Sequence, residues 1–298
     1  MRDLTVVSED VPLAVRDFGG GGQPVVLLHG LGRTLVDWSV FGPVLSSRHR
    51  TVAFDLRGHG ESGNGAWSWA AALADIEAIA RELQLATPAV VGHSLGGMLA
   101  VMWAKAHPGT PAVVNLDGHG RRPLNQYVGI GPEDARRRIA AADERVKASI
   151  GRLSGPLPPP LVDGLLAQQR TLAAQFGAPE EMFVESINRA LRREHGVAYL
   201  RPSPTGLARE ILADAEAFDM FALYSEVRCP VLLVAGTEPD PGPDQELMAA
   251  YRAGLRRDLE RLAVGYPNVT VEFIKGGHGL IFEHPEDLAN RIEAFLNR

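Results

Sequence analysis

The chain has 298 residues, 45% of them hydrophobic, and a formal charge of -6, which allows a large core and argues against general nucleic-acid binding. It has no run of about 18 apolar residues, and Met1-Arg2-Asp3-Leu4 lacks the apolar core of a signal peptide, so a cytoplasmic protein with no membrane partner is expected. Cys229 is the only cysteine, which excludes an intramolecular disulfide, and its Arg228-Cys229-Pro230 setting favours a structural thiol.

Residues 4–7 and 13–18 read as a leading pair of strands around the polar Ser8-Glu9-Asp10 turn. After the Gly19-Gly20-Gly21-Gly22 loop, Pro24–Leu28 is apolar throughout, the pattern of a central parallel strand covered on both faces. It runs into His29-Gly30-Leu31-Gly32, where glycines allow backbone N–H groups to turn inward toward a developing oxyanion. Arg50–Phe54 is the next strand, and it ends in Asp55-Leu56-Arg57-Gly58-His59-Gly60-Glu61-Ser62. Asp55 and Arg57 read there as braces for the loop backbone, and His59 as structural. An amphipathic helix is expected over 70–85, with Leu73, Ile76, Ile79, Ala80 and Leu83 on one face.

The organising stretch follows. A short apolar strand leads into Gly92-His93-Ser94-Leu95-Gly96-Gly97, and an Ala-rich helical pattern begins with no intervening loop. A serine on so sharp a turn needs small neighbours two residues away on each side, and Gly92 and Gly96 supply them. Ser94 is therefore the candidate nucleophile. The flanking His93 is expected to be buried and turned away from substrate. A further buried strand, 112–116, ends in Asp117-Gly118-His119-Gly120.

Strand and helix then stop alternating. Between about 120 and 227 the pattern is helical (133–150, 161–176, 180–194, 204–217), broken by proline clusters, and no strand-like run is evident. Alternation resumes with a strand at 230–235, a helix at 244–264, the strand Val269–Ile274 and the helix Pro285–Leu296. The expected architecture is α/β, a doubly wound, mainly parallel sheet formed by residues 1–119 and 228–298, with a helical cap inserted at 120–227. The insertion leaves from the carboxyl edge of the sheet, where ligands bind in such folds.

A serine hydroxyl needs a base oriented by a carboxylate. His278, in Lys275-Gly276-Gly277-His278-Gly279 after the last strand, is the best of the nine histidines, on a loop its glycines would leave mobile; His284 reads as structural. No Cys/His cluster has metal-ligand spacing and Gly19 to Gly22 is no phosphate loop, so neither metal nor nucleotide cofactor is implied.

Together, His29-Gly30-Leu31-Gly32, the Asp55 to Ser62 segment, Gly92 to Gly97 and Gly277-His278 resemble the α/β-hydrolase superfamily, in its motif order and across nearly the whole chain outside the insertion. The resemblance implies an α/β-hydrolase fold, Ser94 as nucleophile, His278 as base, an oxyanion hole from the N–H groups of Leu31 and Leu95, and a cap that shapes substrate choice. Family members mostly place the acid after the strand that is 230–235 here, three residues beyond a glycine. In Gly236-Thr237-Glu238-Pro239-Asp240, proline holds that spacing and Asp240 comes one residue late. A minority, including lactone-cleaving members, use the end of the preceding strand, here Asp117. Asp117 is favoured, Asp240 is the alternative and Glu238 the third candidate. Serine at 94 argues against the aspartate-nucleophile dehalogenases and epoxide hydrolases of this scaffold.

The expected activity is hydrolysis of an ester or lactone of a hydrophobic small molecule. Its pocket would be lined by Gly30, Trp38 and Trp103 with aromatic residues of the insertion, Tyr127 and Tyr224 among them. The alternatives are non-hydrolytic chemistry in the same pocket, such as a lyase or perhydrolase reaction, or a small-molecule receptor that kept these residues. A homodimer is left open.

Overall fold

The structure is a computed structural model that describes residues 1–240 and 242–298, with the side chains of 149 and 150 left aside; Pro241, in the proline-rich segment beside Asp240, lies outside the described residues. In chain order the strands are β1 (Arg2–Ser8), β2 (Val11–Gly19), β3 (Pro24–Leu28), β4 (Arg50–Phe54), β5 (Ala89–His93), β6 (Val113–Leu116), β7 (Leu191–Glu194), β8 (Val197–Leu200), β9 (Val231–Gly236) and β10 (Val269–Ile274). The helices are α1 (Phe41–Leu45), α2 (Trp69–Glu82), α3 (Leu95–Ala106), α4 (Pro132–Arg152), α5 (Pro159–Phe176), α6 (Glu180–Ala190), α7 (Leu207–Ala217), α8 (Met220–Tyr224), α9 (Gln245–Gly265), α10 (Leu280–Glu283) and α11 (Pro285–Leu296).

Eight strands form one sheet in the order β1-β2-β4-β3-β5-β6-β9-β10. The leading hairpin is antiparallel and β2 joins β4 antiparallel, whereas every pairing from β4 to β10 is parallel. The apolar runs explain this arrangement, since side chains of a strand alternate between faces and both faces here are covered. In β3, Val26 and Leu28 pack into the core layer shared with α2, α3 and α9, while Val25 and Leu27 pack into the opposite layer with α1 and α11.

Helix α2 starts where Ser68 accepts the N–H of Ala71, and its inner face, Ala72, Ile76 and Ile79, is buried. The same face carries Asp75, which takes a two-pronged ion pair from Arg57 at 2.7 Å on each oxygen. Arg57 also donates to the carbonyls of Ala66 and Ala71. Asp55 accepts the N–H groups of Leu35 and Glu61 and the guanidinium of Arg189 on α6. The charged turn after β4 thus binds two loops, α2 and the insertion together.

The insertion leaves and returns side by side, with Gly120 bridged to Asp219 and the N–H of Arg121 on the carbonyl of Phe218. It holds helices α4 to α8, but also a hairpin the sequence pattern does not announce. The expected helix 180–194 stops at Ala190, and β7 pairs antiparallel with β8 through His195-Gly196, both at positive φ (50° and 80°), the backbone a two-residue hairpin turn requires. Arg192, Arg193 and Glu194 carry no apolar alternation because this strand is exposed. The insertion's own core is small, formed around Leu157, Leu165, Leu191 and Ala198. Met182 and Phe183 pack with Trp38 and Phe282, and Ile211, Met220 and Tyr224 pack into the α3 layer, so the insertion is seated on the sheet's own cores.

Candidate active site

Because β3, β5, β6, β9 and β10 are parallel, their carboxyl ends bring Gly30, Ser94, Asp117, Asp240 and His278 to one edge. At Ser94 the backbone has φ 54° and ψ -116°, a sparsely populated conformation that costs on the order of 1–3 kcal/mol and persists only when its surroundings impose it. They do so through contact between backbones. A Cβ on Gly92 would lie 2.0 Å from the Gly96 carbonyl, and one on Gly96 would lie 2.1 Å from the Leu28 carbonyl. The turn can therefore form only with glycine on both sides. Gly30 stands against the same turn, where a Cβ would come within 3.2 Å of Ser94 Cβ.

Asp117 also has positive φ, 56°, a region aspartate tolerates better than most residues. Its N–H donates to Val234 O at 2.8 Å. The next residue is held by Asn115, whose side chain bonds the Gly118 N–H and carbonyl as well as the Tyr224 hydroxyl.

The glycine-flanked loop of His278 is pinned rather than free. Asp240 accepts the His278 N–H at 2.8 Å, His93 Nε2 donates to the His278 carbonyl at 2.9 Å, and Glu283 accepts the Gly277 N–H. Thus fixed, the imidazole bridges two groups: Nδ1 lies 2.7 Å from Asp117 Oδ2 and Nε2 2.9 Å from Ser94 Oγ. With the Nδ1 proton donated to the carboxylate, Nε2 is left to accept from the serine hydroxyl. Glu238 is half-exposed and 3.9 Å from Lys275, away from the imidazole.

The Asp117 carboxylate has more partners than sequence reasoning supplied. Arg252 on α9 donates to Oδ1 at 2.6 Å and to Oδ2 at 2.9 Å, His119 Nε2 lies 3.1 Å from Oδ1, and Gly236 N–H lies 3.2 Å away. Burial alone would raise this carboxyl, but the Arg252 guanidinium and the hydrogen bonds from His119 and His278 hold it well below the usual carboxylate range. The overlooked signal was an arginine on the apolar stripe of α9, in line with Met248, Leu255 and Leu259. Burial has the opposite consequence for His93, pushing its imidazole down to about 3 and keeping it neutral beside His278.

A cavity of about 380 Å³ opens over Ser94 and His278. Leu31, Leu95, Met98, Ile211, Leu212, Ala215 and Met248 make it largely apolar, with Arg122, Glu216, Asp240, Tyr251 and Arg252 on its walls. Leu95 is the first residue of α3, so its N–H has no acceptor within the helix, and Leu31 lines the same cavity. The aromatic lining is elsewhere. Trp38 is fully buried edge-on to Phe41, Trp103 stacks on His107, the Tyr224 hydroxyl accepts from Asn115 Nδ2, and Tyr127 packs against Tyr251. None of these four, nor Gly30, lines the cavity. Large rings pack where they bury most surface, here in the two core layers of the sheet, and α7 provides the wall instead. Among the described residues, no group of three or more His, Cys, Asp or Glu side chains could hold a metal ion, and no helix is long and apolar enough to cross a membrane.

Residues 25–291 match the Alpha/beta hydrolase family. The chain belongs to that family. A curated relative, the pimeloyl-[acyl-carrier protein] methyl ester esterase of Aromatoleum aromaticum, is 30% identical over 275 residues, 90% of this chain and 96% of that protein. Another, a 2-hydroxy-6-oxononadienedioate/2-hydroxy-6-oxononatrienedioate hydrolase of Pseudomonas putida, is 24% identical over 96% of this chain and 92% of its own length. Among solved structures, E-2-(acetamidomethylene)succinate hydrolase superposes with a TM-score of 0.73 at 23% identity, covering 100% of this chain and 99% of that one. This family is one of hydrolases, and the eight-stranded, mainly parallel sheet is its fold.

Proposed function

We propose that this hydrolase cleaves carboxylic esters or lactones through an acyl-enzyme on Ser94. The observation that carries the reading is the continuous hydrogen-bonded chain from Ser94 Oγ through His278 to Asp117 at the floor of a partly apolar cavity. Ser94 Oγ attacks the substrate carbonyl as its proton passes to His278 Nε2. The N–H groups of Leu31 and Leu95 receive the oxyanion, each such donor contributing about 3 kcal/mol to lowering the barrier. Collapse expels the alkoxide, which takes the proton from Nε2. Water, deprotonated by the same nitrogen, then releases the acid and restores the serine. Asp117 keeps the imidazole in the required tautomer and balances its charge.

Residues 120–227 act in this reading as the cap, since α7 supplies Ile211, Leu212 and Ala215 to the cavity. The substrate is a hydrophobic acyl compound or lactone laid against that wall, in keeping with the similarity to a methyl ester esterase. A second reading, in which the substrate also bears a carboxylate, is favoured by Arg122 on the same wall and by the similar hydrolase named for a dioate. A screen of aryl esters and lactones of graded chain length, with and without a terminal carboxylate, separates the two. Ser94→Ala should lower turnover by about a millionfold where chemistry limits the rate, and His278→Ala comparably. Full ester hydrolysis by Ser94→Ala would overturn the acyl-enzyme.

A further inference from the structure

The acid of the proposed mechanism does not face its histidine alone. Both Asp117 oxygens are occupied by the fork of Arg252, and the same two oxygens take His119 and His278. Arg252 comes from α9, 135 residues further along the chain, and its side chain is 5% exposed, an expensive place for a guanidinium without a dedicated partner. Its Nε has no hydrogen-bond partner among the described residues, so the charge is committed to Asp117.

Two consequences follow from elementary electrostatics. A two-pronged guanidinium fixes the plane of a carboxylate, so the Oδ2 lone pair aimed at His278 Nδ1 cannot swing away. A carboxylate already neutralised by an arginine also stabilises a neighbouring imidazolium less than a lone carboxylate would.

Resting on the acyl-enzyme reading, we propose that Arg252 is a positioning residue that locks the Asp117 carboxylate toward His278 and takes up part of its charge. The other groups around His278 do not duplicate this role. His93, packed on it at 4.8 Å between ring centroids, is neutral, and Asp240 and Glu283 bond loop N–H groups rather than the imidazole. Ser94 is uncharged, while His119 shares Oδ1 and Tyr251 stands beside Arg252 on the cavity wall.

The test is an NMR titration of the His278 ring, assigned by its loss in His278→Ala, in the wild type, Arg252→Gln and Arg252→Lys, with steady-state kinetics on the best ester alongside. Arg252→Gln should move the His278 midpoint up by about one pH unit, and the acid limb of kcat/KM with it. Arg252→Lys, which keeps the charge but not the fork, should leave the midpoint in place and lower kcat at least about tenfold with KM little changed. A midpoint that stays put in Arg252→Gln overturns the charge-sharing role. A wild-type kcat in Arg252→Lys overturns the positioning role, and remains decisive if Arg252→Gln does not fold. The titration needs no turnover, so a wild type without esterase activity defeats the functional reading while the histidine midpoints still judge Arg252.

Discussion

Asp240 holds the backbone N–H of His278 at 2.8 Å, while the imidazole of the same residue turns to Asp117 at 2.7 Å. Two carboxylates thus serve one histidine, one fixing the loop and the other the ring. Asp117→Asn should lower kcat of the folded enzyme by about ten-thousandfold, the loss expected when an imidazole loses its orienting, charge-balancing partner. Asp240→Asn keeps an acceptor oxygen and should cost less than about tenfold. Kinetics of the two variants on one ester decide the assignment, and a collapse confined to Asp240→Asn would reverse it.

The cavity wall contributed by α7 implies a size filter. Leu212→Trp should raise KM for long-chain or bulky esters by about tenfold or more while sparing acetates, because filling a pocket penalises only substrates that reach it. Trp103→Phe should leave the chain-length profile unchanged, since Trp103 stacks on His107 in the core. An unaltered profile in Leu212→Trp would remove α7 from the binding site.

The ion pair between Arg57 and Asp75 is buried, with side chains 2% and 1% exposed. Asp75→Ala strands a guanidinium in the core and should reduce unfolding stability by about 3–5 kcal/mol in urea titrations. A loss below about 1 kcal/mol would mean that the arginine reaches water once its partner is gone.

Acid should destabilise the protein before its carboxylates titrate. Burial pushes His59 and His93 down to about 3 from 6.5 and lowers His29 in the same direction. The unfolded chain therefore binds more protons than the native state below pH 6.5, and stability falls as pH falls through that window. His59 and His93 should each remove about 2 kcal/mol between about pH 7 and pH 5. Urea unfolding at both pH values measures the loss, and a His59→Gln variant should show a shallower pH dependence.

What depends on neighbours along the chain is legible in the residues alone. The apolar run of β3 marked it as a central parallel strand and that of β6 as a buried one, because a strand covered on both faces has no side that can be polar. Gly92 and Gly96 marked the turn at Ser94 because only hydrogen fits where those backbones touch. The family resemblance narrowed the acid to Asp117, Asp240 or Glu238, which says where a carboxylate stands but not which bond it makes. Packing in three dimensions gives the ring to Asp117 and the loop to Asp240. The same holds for Arg252, whose partner is 135 residues away, and for Trp38, Trp103, Tyr127 and Tyr224, whose size signals burial but not against which wall. The β7–β8 hairpin escaped the pattern for a related reason. Its strands are short and partly exposed, and its turn rests on His195 adopting a positive φ that the residue type does not announce.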